Sequence, residues 1–219
     1  MRHSFGLSTR SGNITCRVRF GCALNVLFLL HAGAAWGQTI RFRDAGIGFV
    51  LENGATPEKH VIETMVGGVA AFDFDGDGLT DIFFANGATS PGLLKTGEKF
   101  SNRLFRNLGG FRFKDVTAEA GLAGEGYCHG VAAADFDNDG RVDLFVTGVR
   151  GNRLYRNLGG GRFEDVTAKA GVGGGLWSIG AGWFDFDNDG LLDLFVANYL
   201  EWSPDAAPYC GDPARGIRS

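Results

Sequence analysis

One nine-residue pattern rich in aspartate occurs three times in the chain, at residues 73–81, 135–143 and 185–193. Each copy has aspartate at positions 1, 3, 5 and 9 and glycine at position 6. Four carboxylates this close together repel one another strongly unless a cation lies among them. A hard cation that takes about six to eight oxygen ligands meets this requirement, and calcium is the best candidate. The pattern therefore predicts about three calcium ions, one in each copy.

Each copy offers five predicted ligands. The carboxylates at positions 1, 3 and 5 can face one concavity when the chain curls, and the glycine at position 6 permits the sharp turn. The backbone carbonyl at position 7 can then face the ion, and the aspartate at position 9 closes the site from the next segment. The predicted ligands are Asp73, Asp75, Asp77, Leu79 and Asp81; Asp135, Asp137, Asp139, Arg141 and Asp143; and Asp185, Asp187, Asp189, Leu191 and Asp193.

Other interpretations of the pattern fit less well. An EF-hand loop needs a bidentate glutamate at position 12, and that position holds Phe84, Val146 and Val196. Magnesium prefers to keep waters in a rigid octahedron, and zinc favours histidine or cysteine, which the loops lack. Clusters of Asp, Asn and Gly also mark ordinary solvated turns. Three copies with every aspartate in place favour metal binding over that alternative.

The segments on both sides of each loop are predicted to be β-strands. On both sides of each loop the chain is short, apolar and β-prone, as in residues 143–147, so each site is expected to be a β-loop-β turn. The repeat extends further, because residues 103–122 match residues 153–172 at an offset of 50. A loop insertion at 90–101 accounts for the longer spacing between the first two copies. A period of this size indicates a solenoid, propeller or array.

Within one period the sequence predicts four short strands, near residues 130–136, 143–147, 153–157 and 162–166. The Asn-Leu-Gly-Gly segments at 107–110 and 157–160 are hairpin signals, and residues 118–121 and 168–171 suit one helical turn between repeats. Four antiparallel strands per repeat are what a propeller blade needs. We therefore expect an all-β fold, a partial β-propeller of about three four-stranded blades with calcium-binding β-loop-β turns. Phenylalanines at loop position 2, with Phe83, Phe145 and Phe195, are expected to form core between blades.

The first 37 residues differ from the rest and predict a secretory signal peptide. Four arginines and no acid precede an apolar run at 20–30, which is too short to span a bilayer comfortably. Ala35 and Gly37 stand where a signal peptidase reads small residues, so cleavage is expected before Gln38. This predicts a secreted, extracellular or periplasmic protein with no membrane span after cleavage, whose residues 38–219 form the partial propeller.

Net charge and cysteine content limit the kinds of partner and crosslink that the protein can have. The formal net charge is −4 and becomes more negative when the arginines of the signal leave. Twelve acids lie in the three loops, so the acidity is mostly that of the metal sites, and nothing favours nucleic-acid binding. Cys128 and Cys210 remain after cleavage in a compartment that permits disulfides. Whether they bond to each other stays open, because nothing in the sequence fixes their distance.

Several segments outside the loops resemble the FG-GAP/VCBS repeats of integrin-α-like propellers and, more closely, the secreted cartilage acidic protein (ASPIC/UnbV) family. The segments are 42–49, 67–73, the Arg-Leu-Tyr-Arg-Asn-Leu-Gly and Phe-Glu-Asp-Val-Thr motifs, and 196–200. The resemblance implies a seven-bladed propeller with calcium between blade strands, and it carries the ligand role to the aspartates that match the motif. The chain departs from the family in length, since only three loops are present. Unclosed propellers leave strand edges exposed, which favours a fragment or a truncated gene model over three blades that complete themselves by assembly.

The expected function is that of a non-enzymatic, secreted calcium-binding repeat module that binds an extracellular protein or glycan. The alternative is the propeller scaffold of an extracellular carbohydrate-active enzyme, which needs an acid/base pair outside the loops. His129 precedes a predicted strand, and a lone histidine there is more often structural. A purely structural part of a larger adhesin cannot be separated from the first reading by sequence.

Overall fold

The computed structural model describes residues 42–57 and 59–203. The chain divides into a unit that ends at Ala45 and a unit that begins at Gly46. Of the first unit only residues 42–45 are described, and they form no helix or strand. The predicted signal peptide (1–37) and Cys210 therefore lie outside the described residues.

Ten strands and two short α-helices follow one another in the described part of the second unit, and the first two repeats have the same order. The first repeat contains β1 (Val69–Phe72), β2 (Asp81–Phe84), β3 (Arg103–Asn107), β4 (Phe113–Asp115) and α1 (Thr117–Ala120). The second contains β5 (Cys128–Ala134), β6 (Asp143–Gly148), β7 (Arg153–Gly159), β8 (Arg162–Asp165) and α2 (Thr167–Ala170). The third contains β9 (Trp177–Phe184) and β10 (Asp193–Leu200). The four strands predicted for one period are confirmed, as are the two helical turns.

The strands form antiparallel sheets in sequence order, which we call blades 1, 2 and 3. Blade 1 has the order β1-β2-β3-β4, blade 2 the order β5-β6-β7-β8, and β9 pairs with β10 in blade 3. The first strand of blade 2 lies against the first strands of both neighbours. The described residues are thus an all-β partial propeller. Two of the three expected blades have four strands. The third sheet has two strands among the described residues.

Tight turns let each sheet fold back on itself. Gly109 and Gly110 adopt φ values of 73° and 61° in the hairpin between β3 and β4, and Gly159 and Gly160 repeat this geometry between β7 and β8. Left-handed φ values suit glycine because it has no Cβ. The Asn-Leu-Gly-Gly segments are therefore the hairpins that the sequence predicts.

Apolar side chains fill the spaces between neighbouring blades. Phe74 of blade 1 lies 6.3 Å from Phe163 of blade 2, measured between ring centroids. Trp183 of blade 3 stacks on Phe136 at 6.0 Å and meets the edge of Phe145 at 6.2 Å. The predicted core role of the phenylalanines is therefore confirmed where two blades face each other, since Phe74, Phe83 and Phe145 are buried.

Blade 3 departs from this prediction. Phe186 is 68% exposed and Phe195 is 59% exposed, although their counterparts two repeats earlier, Phe74 and Phe83, are 5% and 0% exposed. The expectation that these two side chains are core is wrong for the described residues. The physical reason is that no further described blade covers this face of the sheet.

The insertion predicted at 90–101 is a loop that blade 1 holds at the end of β2. The Lys95 ammonium donates hydrogen bonds to the backbone carbonyls of Asn86, Gly87 and Phe100, at 2.9, 2.8 and 2.6 Å. A single 3-10 turn, Glu98–Phe100, is its only regular element. Three charge-assisted bonds from one side chain keep the inserted loop folded onto its blade without new strands.

Candidate metal centres in the acidic loops

Each acidic loop joins the first strand of a blade to the second. Position 1 follows the last residue of the first strand, and position 9 is the first residue of the next. The antiparallel register sets Phe72 opposite Asp81, Ala134 opposite Asp143, and Phe184 opposite Asp193. Strand pairing therefore brings the two ends of each loop together, so that the aspartates at positions 1 and 9 lie side by side.

Three aspartates converge in every loop. Carboxylate oxygens from positions 1, 3 and 9 lie within 4.8 Å of one another in each case. The groups are Asp73, Asp75 and Asp81; Asp135, Asp137 and Asp143; and Asp185, Asp187 and Asp193. The structure thus brings together three of the four predicted carboxylates per loop, and their donor atoms are the hard oxygens that a divalent cation such as calcium takes.

The carboxylate at position 1 shapes the loop by accepting hydrogen bonds from its backbone. Asp73 accepts N–H bonds from Gly76, Asp77 and Gly78, at 2.8, 3.1 and 2.8 Å. The same bonds, that from Gly78 first, lower the pKa of Asp73. Gly78 has a φ of 83°, which confirms the sharp turn predicted at position 6. In loops 2 and 3 the aspartate at position 1 likewise accepts hydrogen bonds from the backbone N–H groups of positions 5 and 6.

The carboxylate at position 9 is fixed from two sides. Asp143 accepts hydrogen bonds from the backbone N–H of Phe136, at 3.1 Å, and of Asn157, at 2.7 Å. Asp81 is held in the same way by Phe74 and Asn107. Both carboxylates are fully buried. Burial raises the pKa of Asp143 to about 6 and raises that of Asp81, because a buried negative charge without a cation is disfavoured.

One carboxylate oxygen in the first loop has no partner. Asp75 Oδ1 is buried and accepts no hydrogen bond from the described residues. A buried, unsatisfied oxygen on a charged group is costly, and a cation bound among positions 1, 3 and 9 would satisfy it. The residues present therefore fit a divalent metal ion.

The aspartate at position 5 does not converge with the other three aspartates of its loop. It accepts a hydrogen bond from the backbone N–H of position 7 instead. The Leu79 N–H donates to Asp77 Oδ1 at 2.9 Å, and the equivalent bonds in loops 2 and 3 measure 3.0 and 2.8 Å. Asp77, Asp139 and Asp189 are absent from the converging groups of the described residues. Their ligand role, and that of the carbonyls of Leu79, Arg141 and Leu191, stays a prediction.

Arginines from the third strand reach into the first two loops, and the sequence reasoning missed them. Arg106 Nη2 donates to Asp77 Oδ2 at 3.1 Å, and its Nε lies 2.6 Å from Asp75 Oδ2. Arg156 repeats both contacts with Asp139, at 3.3 Å, and Asp137, at 2.6 Å. The hydrogen bond to Asp77 and the charge of Asp75 raise the pKa of Arg106. The available signal was the arginine that recurs at one place in the matched Arg-Leu-Phe/Tyr-Arg-Asn segments.

Outside the loops, His129 and Cys128 are two buried residues with reactive side chains. His129 is buried, with its ring 5.4 Å from that of Tyr127 and 5.3 Å from that of Trp177. Burial lowers the pKa of His129 to about 4. Cys128 is a buried free thiol, and burial raises its pKa.

An open cleft of 580 Å³ on blade 2 contains two further carboxylates. Arg153 lies between them, with ion pairs of 2.8 Å to Glu125 and 3.5 Å to Asp165. Both acids of this cleft are outside the acidic loops. None of the helices in the described part of the chain has the length and apolar character to cross a bilayer.

Comparison with known families identifies the type of repeat. The sequence profile of the FG-GAP-like repeat matches residues 73–146 and, overlapping them, residues 135–196. Each match begins at position 1 of an acidic loop and ends within the second strand of the following blade. Together the two matches cover more than half of the chain. A comparison with curated proteins found no match.

Proposed function

The chain belongs to the FG-GAP-like repeat family, and from that premise we propose that it is a secreted, non-enzymatic calcium-binding module. The observation that carries the proposal is the convergence of three aspartates in each loop, with one buried oxygen of Asp75 left unpartnered. The donor set contains oxygen alone, which favours calcium over zinc.

The aspartates at positions 1, 3 and 9 would hold the ion, with the position 5 carboxylate and the position 7 carbonyl as the further proposed ligands. Bound there, calcium supplies the positive charge that offsets carboxylate repulsion in a β-loop-β turn. The protein contributes the backbone N–H groups that orient Asp73 and the strand register that sets Phe72 opposite Asp81. The proposed role of the metal is to stabilise the blades rather than to react.

Calcium binding is tested by metal analysis and thermal unfolding of the full chain. After dialysis against calcium at about 2 mM, mass spectrometry should count three ions per chain, and the melting temperature should exceed that in chelator by many degrees. Magnesium at the same concentration is the matched control and should raise the melting temperature less. A folded protein that retains no calcium and melts at the same temperature in chelator would refute the proposal.

We further propose that the chain is related to the ASPIC/UnbV proteins and is exported. The motifs at 42–49, 67–73 and 196–200 support the relationship, and the basic and apolar lead at 1–37 supports export. Expression with a C-terminal tag, followed by N-terminal sequencing of the exported protein, tests this. A mature N-terminus at Gln38 is expected, and retention of the intact chain inside the cell would contradict it.

The proposed partner is an extracellular protein or glycan. Packing supports a structural role for His129, whose buried ring lies 5.4 Å from that of Tyr127 and 5.3 Å from that of Trp177. A glycan array and an extracellular-protein array, each probed with calcium and with chelator, test the proposal. Calcium-dependent binding to one class is expected, and identical signals under both conditions would count against it.

An extracellular carbohydrate-active enzyme is the second candidate, and one observation favours it. Glu125 and Asp165 lie in the same cleft on either side of Arg153, and glycosidases use two carboxylates. Both carboxylates are already engaged in ion pairs with the Arg153 guanidinium, which a substrate would have to displace. Glycosidase activity that the chain shows and that Glu125→Gln abolishes would favour the enzyme over the binding module.

A further inference from the structure

Two arginines one repeat apart make the same pair of contacts with the acidic loops. Arg106 lies on β3 and Arg156 on β7. In both, Nη2 donates a hydrogen bond to the position 5 carboxylate, Asp77 or Asp139. In both, Nε lies 2.6 Å from the position 3 carboxylate. The repetition shows that the contacts belong to the design of the blade rather than to one chance side-chain conformation.

The two contacts of each arginine differ in quality. The bond to position 5 has hydrogen-bond geometry, whereas Nε of Arg106 and Nε of Arg156 have no hydrogen-bond partner despite their closeness to position 3. The position 3 contact is therefore a close ion pair of 2.6 Å. Asp75 also keeps its second oxygen unpartnered. The guanidinium is thus held by both carboxylates, through a hydrogen bond to position 5 and a shorter ion pair with position 3.

We infer that Arg106 and Arg156 are resident counter-ions of loops 1 and 2, which compete with the metal ion for the position 3 carboxylate and lower the calcium affinity of these loops. The inference rests on the proposed calcium-binding function and concerns its regulation. When Asp75 turns to a metal ion, Arg106 keeps its bond to Asp77. The arginine also offsets carboxylate repulsion before any ion binds, so the loop stays ordered at low calcium.

Loops 1 and 2 consequently differ in affinity. Loop 1 has one arginine, Arg106, whereas in loop 2 Asp139 pairs with Arg141, the residue at position 7, as well as with Arg156. Each added positive charge beside the carboxylates disfavours a cation. Calcium is therefore expected to bind loop 1 more tightly than loop 2.

The test is isothermal titration of the full chain with calcium chloride, together with melting temperatures in chelator, for the unaltered chain, Arg106→Gln and Arg156→Gln. Arg103→Gln is the matched control, since Arg103 lies on the same strand β3 but pairs with Asp115 outside the loops, at 3.2 Å. Each loop variant should bind calcium about twofold to fivefold tighter at one site. Each should also melt at a lower temperature in chelator. The control should leave the calcium affinity unchanged.

This opposition between affinity and stability distinguishes competition from a structural role. A residue that only supports the fold would lower both quantities together. Arg106→Lys retains the charge and should keep an affinity within about twofold of the unaltered chain. Unchanged or weaker calcium binding in Arg106→Gln, with an unaltered chain that does bind calcium, would overturn the inference alone. An unaltered chain that binds no calcium would overturn both this inference and the proposed function.

Discussion

The side-chain amide of Asn157 donates a 2.8 Å hydrogen bond to the carbonyl oxygen of Phe74, which lies 83 residues earlier in the acidic loop of the preceding blade. The same amide donates to the carbonyl of Val142 at 3.1 Å, and the backbone N–H of Asn157 donates to Asp143 at 2.7 Å. The side chain is fully buried. One residue of β7 therefore connects the acidic loops of blades 1 and 2.

Replacing Asn157 with alanine should lower the free energy of unfolding by about 2–4 kcal/mol, because two buried carbonyls lose their donor. Asn107→Ala is the matched control, since Asn107 occupies the same place in blade 1 and donates to the carbonyl of Thr80 within its own blade. Its loss should be smaller. Urea unfolding in chelator measures both variants, and equal losses would show that the link between blades contributes nothing.

Asp75→Asn and Asp77→Asn should affect calcium binding unequally. Asp75 converges with Asp73 and Asp81, whereas Asp77 is bound by Arg106 and by the backbone of Leu79. Removing the charge at position 3 should weaken calcium binding at one site about tenfold or more, and removing it at position 5 should weaken binding less. Calorimetric titration measures both. A larger loss at position 5 would mean that the loop rearranges around the ion.

Phe145→Ala should destabilise the protein by about 3–5 kcal/mol, whereas Phe195→Ala should cost less than about 1 kcal/mol. The two residues are one repeat apart in equivalent strands, but Phe145 is fully buried against Trp183 and Phe195 is 59% exposed. Denaturant unfolding of both variants checks the difference. Similar losses would show that the outer face of blade 3 is covered in solution.

His129 should make stability fall in acid. Its pKa is lowered to about 4 in the folded protein from an ordinary value of about 6.5 in the unfolded chain, so the unfolded state binds more protons between these values. The contribution is fully present above pH 6.5 and is lost as the pH falls toward 4, on the order of 3 kcal/mol in total.

His129→Gln isolates this effect. Asp143, whose pKa is raised to about 6, acts in the opposite direction, because the folded state then holds the extra proton. That contribution is common to both proteins and cancels in their difference. Denaturant unfolding in chelator at pH 7.5 and pH 4.5 should therefore show a stability gap that changes with pH in favour of the variant. A constant gap would mean that buried His129 does not resist protonation.

Sequence alone determined the repeat, its strands and the positions of the acidic loops. These follow from local physics, because alternating apolar residues favour strands and because the glycine at position 6 accepts the turn, with φ values of 83°, 85° and 86° in Gly78, Gly140 and Gly190. The 50-residue offset between matched segments then fixed the blade as the repeating unit. Neither conclusion needs contacts between distant residues.

Tertiary structure decided which aspartates converge and what competes for them. Strand register places Asp81 beside Asp73, and the return of β3 past β2 brings Arg106 onto Asp75 and Asp77. It also decided that Phe145 is core while Phe195 is exposed. The reason is that ion pairs and burial depend on where neighbouring strands and blades lie, and identical motifs acquire different surroundings once the blades are assembled in space.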